Sequence, residues 1–271
     1  MVIDSVPKVV GMAYAVVASM IIVVLLRRGS FSKRWGYVFL AVSTAMGFLV
    51  FAPMLPVQLQ AILLGNTKQL GAPLAMAAAV LAAFVIMAFV FGRAFCGYVC
   101  PIGAIQELLY RLPLKKWKIR SKTLPTAFRL AFSLTFLVLA VVSSMGLLGY
   151  LGVRDFFYLD FASAFSFVFL AILILSAFVY RPFCRLACPY GAVLAFASSR
   201  SRFAIKRNGD CIDCKKCEKV CPTNEGGRDD SRQECYLCGR CKEACPVNAI
   251  EYGMRWSPAA IGESSDPPRP Q

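Results

Sequence analysis

Twelve cysteines and no histidine stand in this sequence of 271 residues. Any metal chemistry therefore falls to thiolates. Eight cysteines form two matched runs, "CIDCKKCEKVCP" from Cys211 and "CYLCGRCKEACP" from Cys235, 24 residues apart. Both read Cys-x2-Cys-x2-Cys-x3-Cys-Pro. In that spacing three successive cysteines wrap a cubane iron–sulfur cluster, and the fourth crosses to a neighbouring one. The pattern assigns Cys211, Cys214, Cys217 and Cys245 to one [4Fe–4S] cluster, and Cys235, Cys238, Cys241 and Cys221 to the other. Pro222 and Pro246 turn the chain after each crossing ligand. Zinc motifs use separated pairs rather than this triplet, and disulfides do not suit a reducing cytoplasm. Two adjacent clusters pass single electrons. No residue near them suggests substrate chemistry, so no catalytic residue is assigned.

The other four cysteines repeat part of this pattern. "RAFCGYVCPIGA" begins at Arg93 and "RPFCRLACPYGA" at Arg181, 88 residues later. Cys96-x3-Cys100-Pro101 and Cys184-x3-Cys188-Pro189 have the spacing of the back half of a cluster run. On an α-helix, residues i and i+4 share a face about 6 Å apart along the axis. If the two copies pack about a pseudo-two-fold axis, four thiols converge. They would suit a further iron–sulfur cluster or a copper ion, or a dithiol/disulfide couple. The plainer alternative is four buried, inert cysteines, because free Cys is a common core residue.

The elements that must carry these motifs are apolar. The chain is 58% hydrophobic with a mean hydropathy of +0.61. Five uncharged stretches stand out: Val9–Leu26, Tyr37–Leu55, Pro73–Gly92, Leu130–Val153 and Phe161–Tyr180. A helix of about 20 apolar residues crosses a ~30 Å hydrocarbon core. The backbone finds no partners in lipid, so five spanning helices are expected. Val9–Leu26 reads as a retained helix rather than a signal peptide, since Arg27 and Arg28 follow it and no small-x-small cleavage site does.

The net charge of +15 is explained by position. Arg27, Arg28, Lys33 and Arg34 lie in the first connection. Arg111, Lys115, Lys116, Lys118, Arg120 and Lys122 lie in the third. Arg200, Arg202, Lys206 and Arg207 follow the fifth stretch. The second and fourth connections hold only Lys68 and Arg154. This is the positive-inside pattern. It places the N-terminus outside the inner membrane, and the C-terminal cluster domain in the cytoplasm. Contact with anionic lipid accounts for the basic charge, and nucleic acid is not implied.

The expected fold is a polytopic helical membrane bundle with an internal parallel repeat over residues 1–200. A small α+β two-[4Fe–4S] ferredoxin-like domain of the bacterial type follows over 201–255, and a disordered tail over 256–271. "AIQELLYRL" after the first membrane motif reads either as a helix in the membrane interface or as one packed on the cluster domain.

These residues resemble the NapH/MauN group of membrane ferredoxin-type proteins, associated with periplasmic nitrate reduction and methylamine oxidation. The resemblance covers roughly Arg34 to Trp256. It rests on "FCGYVCP", "FCRLACP", the two cluster runs and the ending "AIEYGMRWS". The cysteine constellation alone is similar to a wider superfamily of NosR-type regulators and CcoG-type copper reductases. The family usually has four membrane helices, and Val9–Leu26 is additional. The resemblance implies a quinol dehydrogenase role, with electrons taken from membrane quinol through the clusters to a partner redox protein in a complex. Polar groups that could face a quinone are Arg154, Asp155, Tyr158 and Asp160 at the outer surface, and Glu107 and Tyr110 at the inner one. Each also reads as an ordinary interface anchor. The CcoG likeness implies an alternative, an assembly factor supplying electrons or metal for cofactor installation. No charged residue lies inside the five stretches, which speaks against a transport path.

Overall fold

Uncharged runs of Ala, Val, Leu and Phe become helices because a helix satisfies its own backbone polar groups where no water can. A computed structural model of the chain describes residues 5–50, 55–65, 73–119, 121–143, 147–160 and 162–255. The expected disordered tail lies outside the described residues. Among the described residues four helices are long and apolar enough to cross a membrane: α1 (Ser5–Arg27), α2 (Lys33–Val50), α4 (Leu74–Phe91) and α6 (Thr123–Ser143). A short helix, α3 (Leu55–Leu63), lies between α2 and α4. Their outer faces carry exposed apolar side chains, such as Leu49 at 80% and Val142 at 78%. A protein surrounded by water would bury such a surface, whereas lipid accepts it.

The fifth stretch behaves differently. Its helix, α9 (Ala164–Ser176), has 13 residues, about 20 Å at the α-helical rise. The chain turns immediately after it. The Trp117 N–H donates to the Phe178 carbonyl at 2.9 Å, and the Lys116 ammonium to the Ala177 carbonyl at 2.8 Å. Two short helices, α7 (Leu147–Tyr150) and α8 (Val153–Phe157), precede it. The fourth stretch, Leu130–Val153, likewise contains the end of α6 and then these short pieces, so the helix begins and ends earlier than the uncharged run.

Each membrane motif opens with a π-helical turn, Phe95–Val99 and Phe183–Ala187, and continues as a helix, α5 (Pro101–Tyr110) and α10 (Pro189–Ser199). Packing is reciprocal. Helix α5 rests on α2 and α9, and α10 rests on α6 and α4. The helix after each motif thus touches one helix from each half of the bundle. Helix α1 covers the first motif. The Tyr14 and Ser43 hydroxyls bond at 2.7 Å, and Ser43 donates to the Tyr98 carbonyl at 2.7 Å.

The cluster-run segment begins with β1 (Phe203–Arg207), which pairs antiparallel with β2 (Ile250–Met254) in the register Phe203↔Met254. Two short helices, α11 (Lys216–Val220) and α12 (Arg240–Ala244), lie between the strands. The domain is tied to one end of the bundle. The Tyr252 hydroxyl donates to the Phe91 carbonyl at 2.8 Å, Lys33 pairs with Glu243 at 3.0 Å, and Lys122 pairs with Asp230. The basic first and third connections therefore lie on the side of the cluster domain. At the other end, Gln60 accepts from the Leu148 N–H at 2.9 Å, joining the second and fourth connections.

Candidate iron–sulfur sites and the buried charge network

One local structure recurs four times. Each Cys-Pro pair places the cysteine in extended backbone: ψ is 119° at Cys100, 107° at Cys188, 117° at Cys221 and 115° at Cys245. A proline disfavours helical geometry in the residue before it, so the preceding helical turn must stop at the cysteine. Pro101 and Pro189 then start new helices, where a missing N–H costs nothing. This corrects the expectation that Cys96/Cys100 and Cys184/Cys188 share one α-helical face. The turn between them is π-helical, closed in the first copy by the Cys100 N–H to the Phe95 carbonyl at 3.0 Å. Such turns gather at functional sites.

The cysteine before each proline also accepts a backbone hydrogen bond on sulfur. Gly191 N–H donates to Cys188 Sγ at 3.2 Å, Glu225 N–H to Cys221 Sγ at 3.3 Å, and Ala249 N–H to Cys245 Sγ at 3.3 Å. Gly103 does the same for Cys100. N–H groups aimed at sulfur favour the thiolate over the thiol.

The two cluster runs match in backbone as well as in residues. Left-handed conformations occur at Asp213, Lys215 and Asn224, and again at Leu237, Gly239 and Asn248. These are the same positions, 24 residues on. A cavity between the strands and short helices is lined by Cys217, Cys221, Cys235, Cys238 and Cys241. Four of these are the thiols expected to share one cluster. In the first run Cys217 is buried, Cys211 is half-buried and Cys214 is exposed.

The membrane cysteines are brought together too. Cys100, Cys184 and Cys188 are buried and Cys96 is half-buried. Burial pushes the Cys100 thiol up, and the nearby Cys184, Cys96 and Cys188 push it further. Burial pushes the Cys184 thiol up to about 11. Gln106 from the helix after the first motif donates to Cys184 Sγ at 3.4 Å and to the Ile102 carbonyl at 2.9 Å. Its side-chain oxygen accepts the Phe183 N–H at 3.1 Å. Among the described residues no three Cys, Asp or Glu side chains close on a point that would hold a single metal ion. Ligands around a multi-atom cage stand further apart than those around one ion.

Charge decides the fit. Arg93, Arg129, Arg181 and Arg185 are all 3% exposed or less, against Glu107 and Glu234 as buried carboxylates beside them. Glu234 Oε1 takes Arg93 at 3.1 Å and Arg129 at 2.5 Å. Glu107 takes Arg111 at 3.2 Å, Arg181 at 3.1 Å and Arg240 at 2.6 Å. Positive charge exceeds negative, and buried charge is costly unless compensated. Arg93 lies near Cys96 and Cys184, and the buried Nε atoms of Arg93 and Arg185 have no hydrogen-bond partner among the described residues. Thiolates holding iron would supply the missing negative charge, so the residues present fit iron–sulfur clusters.

Sequence reasoning missed this network. Arg93 and Arg181 occupy matching positions three residues before Cys96 and Cys184, and that shared placement was the available signal. The roles of Glu234, Tyr236 and Arg240 were not visible. Tyr236 lies between the two arginines, with Arg93 4.3 Å and Arg181 4.6 Å from its ring centre. Arg181 donates to the Gly97 carbonyl at 2.6 Å and to the Cys96 carbonyl. The Tyr98 hydroxyl donates to the Leu237 carbonyl at 3.1 Å. The loop Cys235–Cys238 is thus seated directly on the first membrane motif.

The quinone-facing candidates separate. Glu107 sits inside the arginine cluster. Burial alone would raise its pKa, but Arg181, Arg240 and Arg111 together hold it below the ordinary value. Tyr110 stacks edge-on against Tyr180, with ring centres 5.0 Å apart. Arg154 and Asp155 line a cavity with Gln60 and Tyr150, at the end of the bundle away from every cysteine. Asp155 accepts from the Ser163 hydroxyl at 2.6 Å, Arg154 sits 5.4 Å from the Tyr158 ring centre, and Asp160 is exposed.

Residues 72–120 and 161–208, around the two membrane motifs, match a family described as 4Fe-4S binding domain, and residues 231–251 match another of the same description. An uncharacterized protein of Methanocaldococcus jannaschii is 32% identical over 59% of this chain and 68% of its own length. YccM of Escherichia coli is 34% identical over 58% of this chain and 49% of its own. The methylamine utilization ferredoxin-type protein MauN of Methylobacillus flagellatus is 29% identical over 49% and 50%. The chain thus spans about two thirds of the first relative and about half of the other two. No solved structure matches it.

Proposed function

The chain belongs to the family of membrane-bound ferredoxin-type proteins, and from that premise we propose that it carries electrons between membrane quinol and a partner redox protein. The observation that supports this reading most is the seat of the second cluster loop on the first membrane motif. It places the second cluster run between the buried membrane thiols and the first run, where Cys214 is exposed. We assign Cys235, Cys238, Cys241 and Cys221 to a proximal cluster, and Cys211, Cys214, Cys217 and Cys245 to a distal one. Cys96, Cys100, Cys184 and Cys188 hold a third, which the surplus of buried arginine supports. When bound, such clusters accept and release one electron at a time.

In this reading the bundle is an internal parallel repeat of five spans, with α9 the short one, and the cluster domain faces the cytoplasm. Quinol oxidation yields two electrons and two protons. A groove lined by Phe31, Gly36, Tyr98, Arg111, Cys238 and Gly239 lies beside the proximal loop, and we place the quinol head there. Glu107, locked among arginines, is not its base.

Two measurements test the reading. Iron and acid-labile sulfide, on protein purified without oxygen, should give about twelve of each per chain for three cubanes. About eight would remove the membrane cluster. Added quinol should reduce the clusters of the complete complex. A range of quinols that leaves the spectrum unchanged, while dithionite bleaches it, would end the quinol assignment.

A further inference from the structure

The two cluster runs are copies, yet their surfaces meet different fates. In the second copy, this face turns toward the bundle and its Tyr236–Leu237 edge is buried there. Tyr236 and Leu237 are each 2% exposed. Arg240 reaches the carboxylate of Glu107, and Glu243 pairs with Lys33. The equivalent positions 24 residues earlier are Ile212, Asp213, Lys216 and Lys219. There Ile212 is 62% exposed, and both lysines are exposed.

The charge around this open copy is lopsided. Asp213 is engaged by Arg207 at 3.3 Å and by Arg228 at 3.5 Å. Glu218 is engaged by Arg207 at 2.7 Å, and Asp210 by Asn208 at 3.1 Å. Lys215, Lys216 and Lys219 carry no such carboxylate partner among the described residues. Lys118 lies alongside, donating to the Glu218 and Lys219 carbonyls at 3.2 and 3.1 Å. Exposed Cys214 stands in the midst of these cations.

We propose that this face docks an acidic, soluble electron-carrier protein, using the first cluster loop as the second uses the membrane bundle. Ile212 takes the place of Tyr236 as the apolar plug. Lys216 takes the place of Arg240, which already shows that this position reaches for a carboxylate. Lys215 and Lys219 add the long-range attraction that steers a negatively charged partner. On docking, the partner's centre changes by one electron as the chain changes by one in the opposite sense, and no bond or proton is exchanged. The inference rests on the electron-transfer reading above.

The test uses the intact detergent-solubilised chain, an acidic plant-type [2Fe–2S] ferredoxin as probe and basic cytochrome c as control. The ferredoxin should bind with an affinity that falls steeply with salt. The double variant Lys216→Glu, Lys219→Glu should weaken binding at least about tenfold, and the uncharged change Ile212→Ser should weaken it with little effect on salt dependence. Cytochrome c should bind more weakly than ferredoxin, and better to the double variant. Cluster content and dithionite reduction are followed separately. Normal, reducible clusters with ferredoxin binding indifferent to these substitutions would overturn the docking face and leave the electron-transfer reading standing. Salt- and variant-sensitive binding by a chain without clusters would sink the electron-transfer reading while the face survives.

Discussion

Glu234 and Glu107 each do what no surface carboxylate could. Each holds arginines from separate parts of the chain in a dry site, so removing the carboxylate strands buried cations. Breaking such a pair costs roughly 3–5 kcal/mol. Glu234→Gln should therefore lower the thermal transition steeply, and a loss below about 1 kcal/mol, the size of an exposed pair, would contradict the assigned role. Glu107 carries a sign as well. Its folded pKa lies below the ordinary 4.5, so its contribution is present above that value and lost as pH falls through the folded pKa. Infrared titration should find this carboxylate ionised throughout about pH 5 to 8, and a protonated band there would refute its place among the arginines. Arg181→Lys is not conservative at this site. One guanidinium serves Glu107 and the Cys96 and Gly97 carbonyls at once, whereas an ammonium lacks the planar fork. Iron per chain should fall from about twelve toward eight.

At the scale of elements, the recurring unit is a helical turn stopped by Cys-Pro. The proline's effect on its predecessor is a local steric matter, so this unit was legible from residues alone. The π-helical turn was not, because it depends on where the following helix packs. Glycine marks that packing. A methyl group on Gly97 would overlap the Tyr236 carbonyl, and one on Gly103 would stand 2.6 Å from the Cys96 carbonyl. Gly97→Ala should push the second cluster loop off the membrane motif at a cost of about 1–3 kcal/mol. The expected result is retained iron in the cluster domain, with slower passage of electrons between quinol and the distal cluster. Unchanged quinol-driven reduction would show that the close seat is not needed. A side chain at Gly36 would crowd Tyr98 at 3.4 Å and fill the neighbouring groove. Gly36→Leu should slow reduction by quinol but not by dithionite, and equal rates with quinol would move the quinol site elsewhere.

For the whole molecule, the clearest prediction concerns sidedness. A reporter fused after Met254 should read as cytoplasmic, and one inserted after Leu63 as external. The reverse result would invert the proposed orientation. The apolar stretches, the basic connections, the two copied motifs and the thiolate chemistry could all be read along the chain. Each of these follows from local composition or from spacing along the chain. Which cluster loop lies against the bundle, which copy stays open and which carboxylates meet which arginines emerge from the packing of distant segments. Those outcomes depend on residues more than a hundred positions apart, such as Glu107 with Arg240 and Arg93 with Glu234. A buried ion pair is set by the packing that excludes water around it, and no short stretch of sequence records that exclusion.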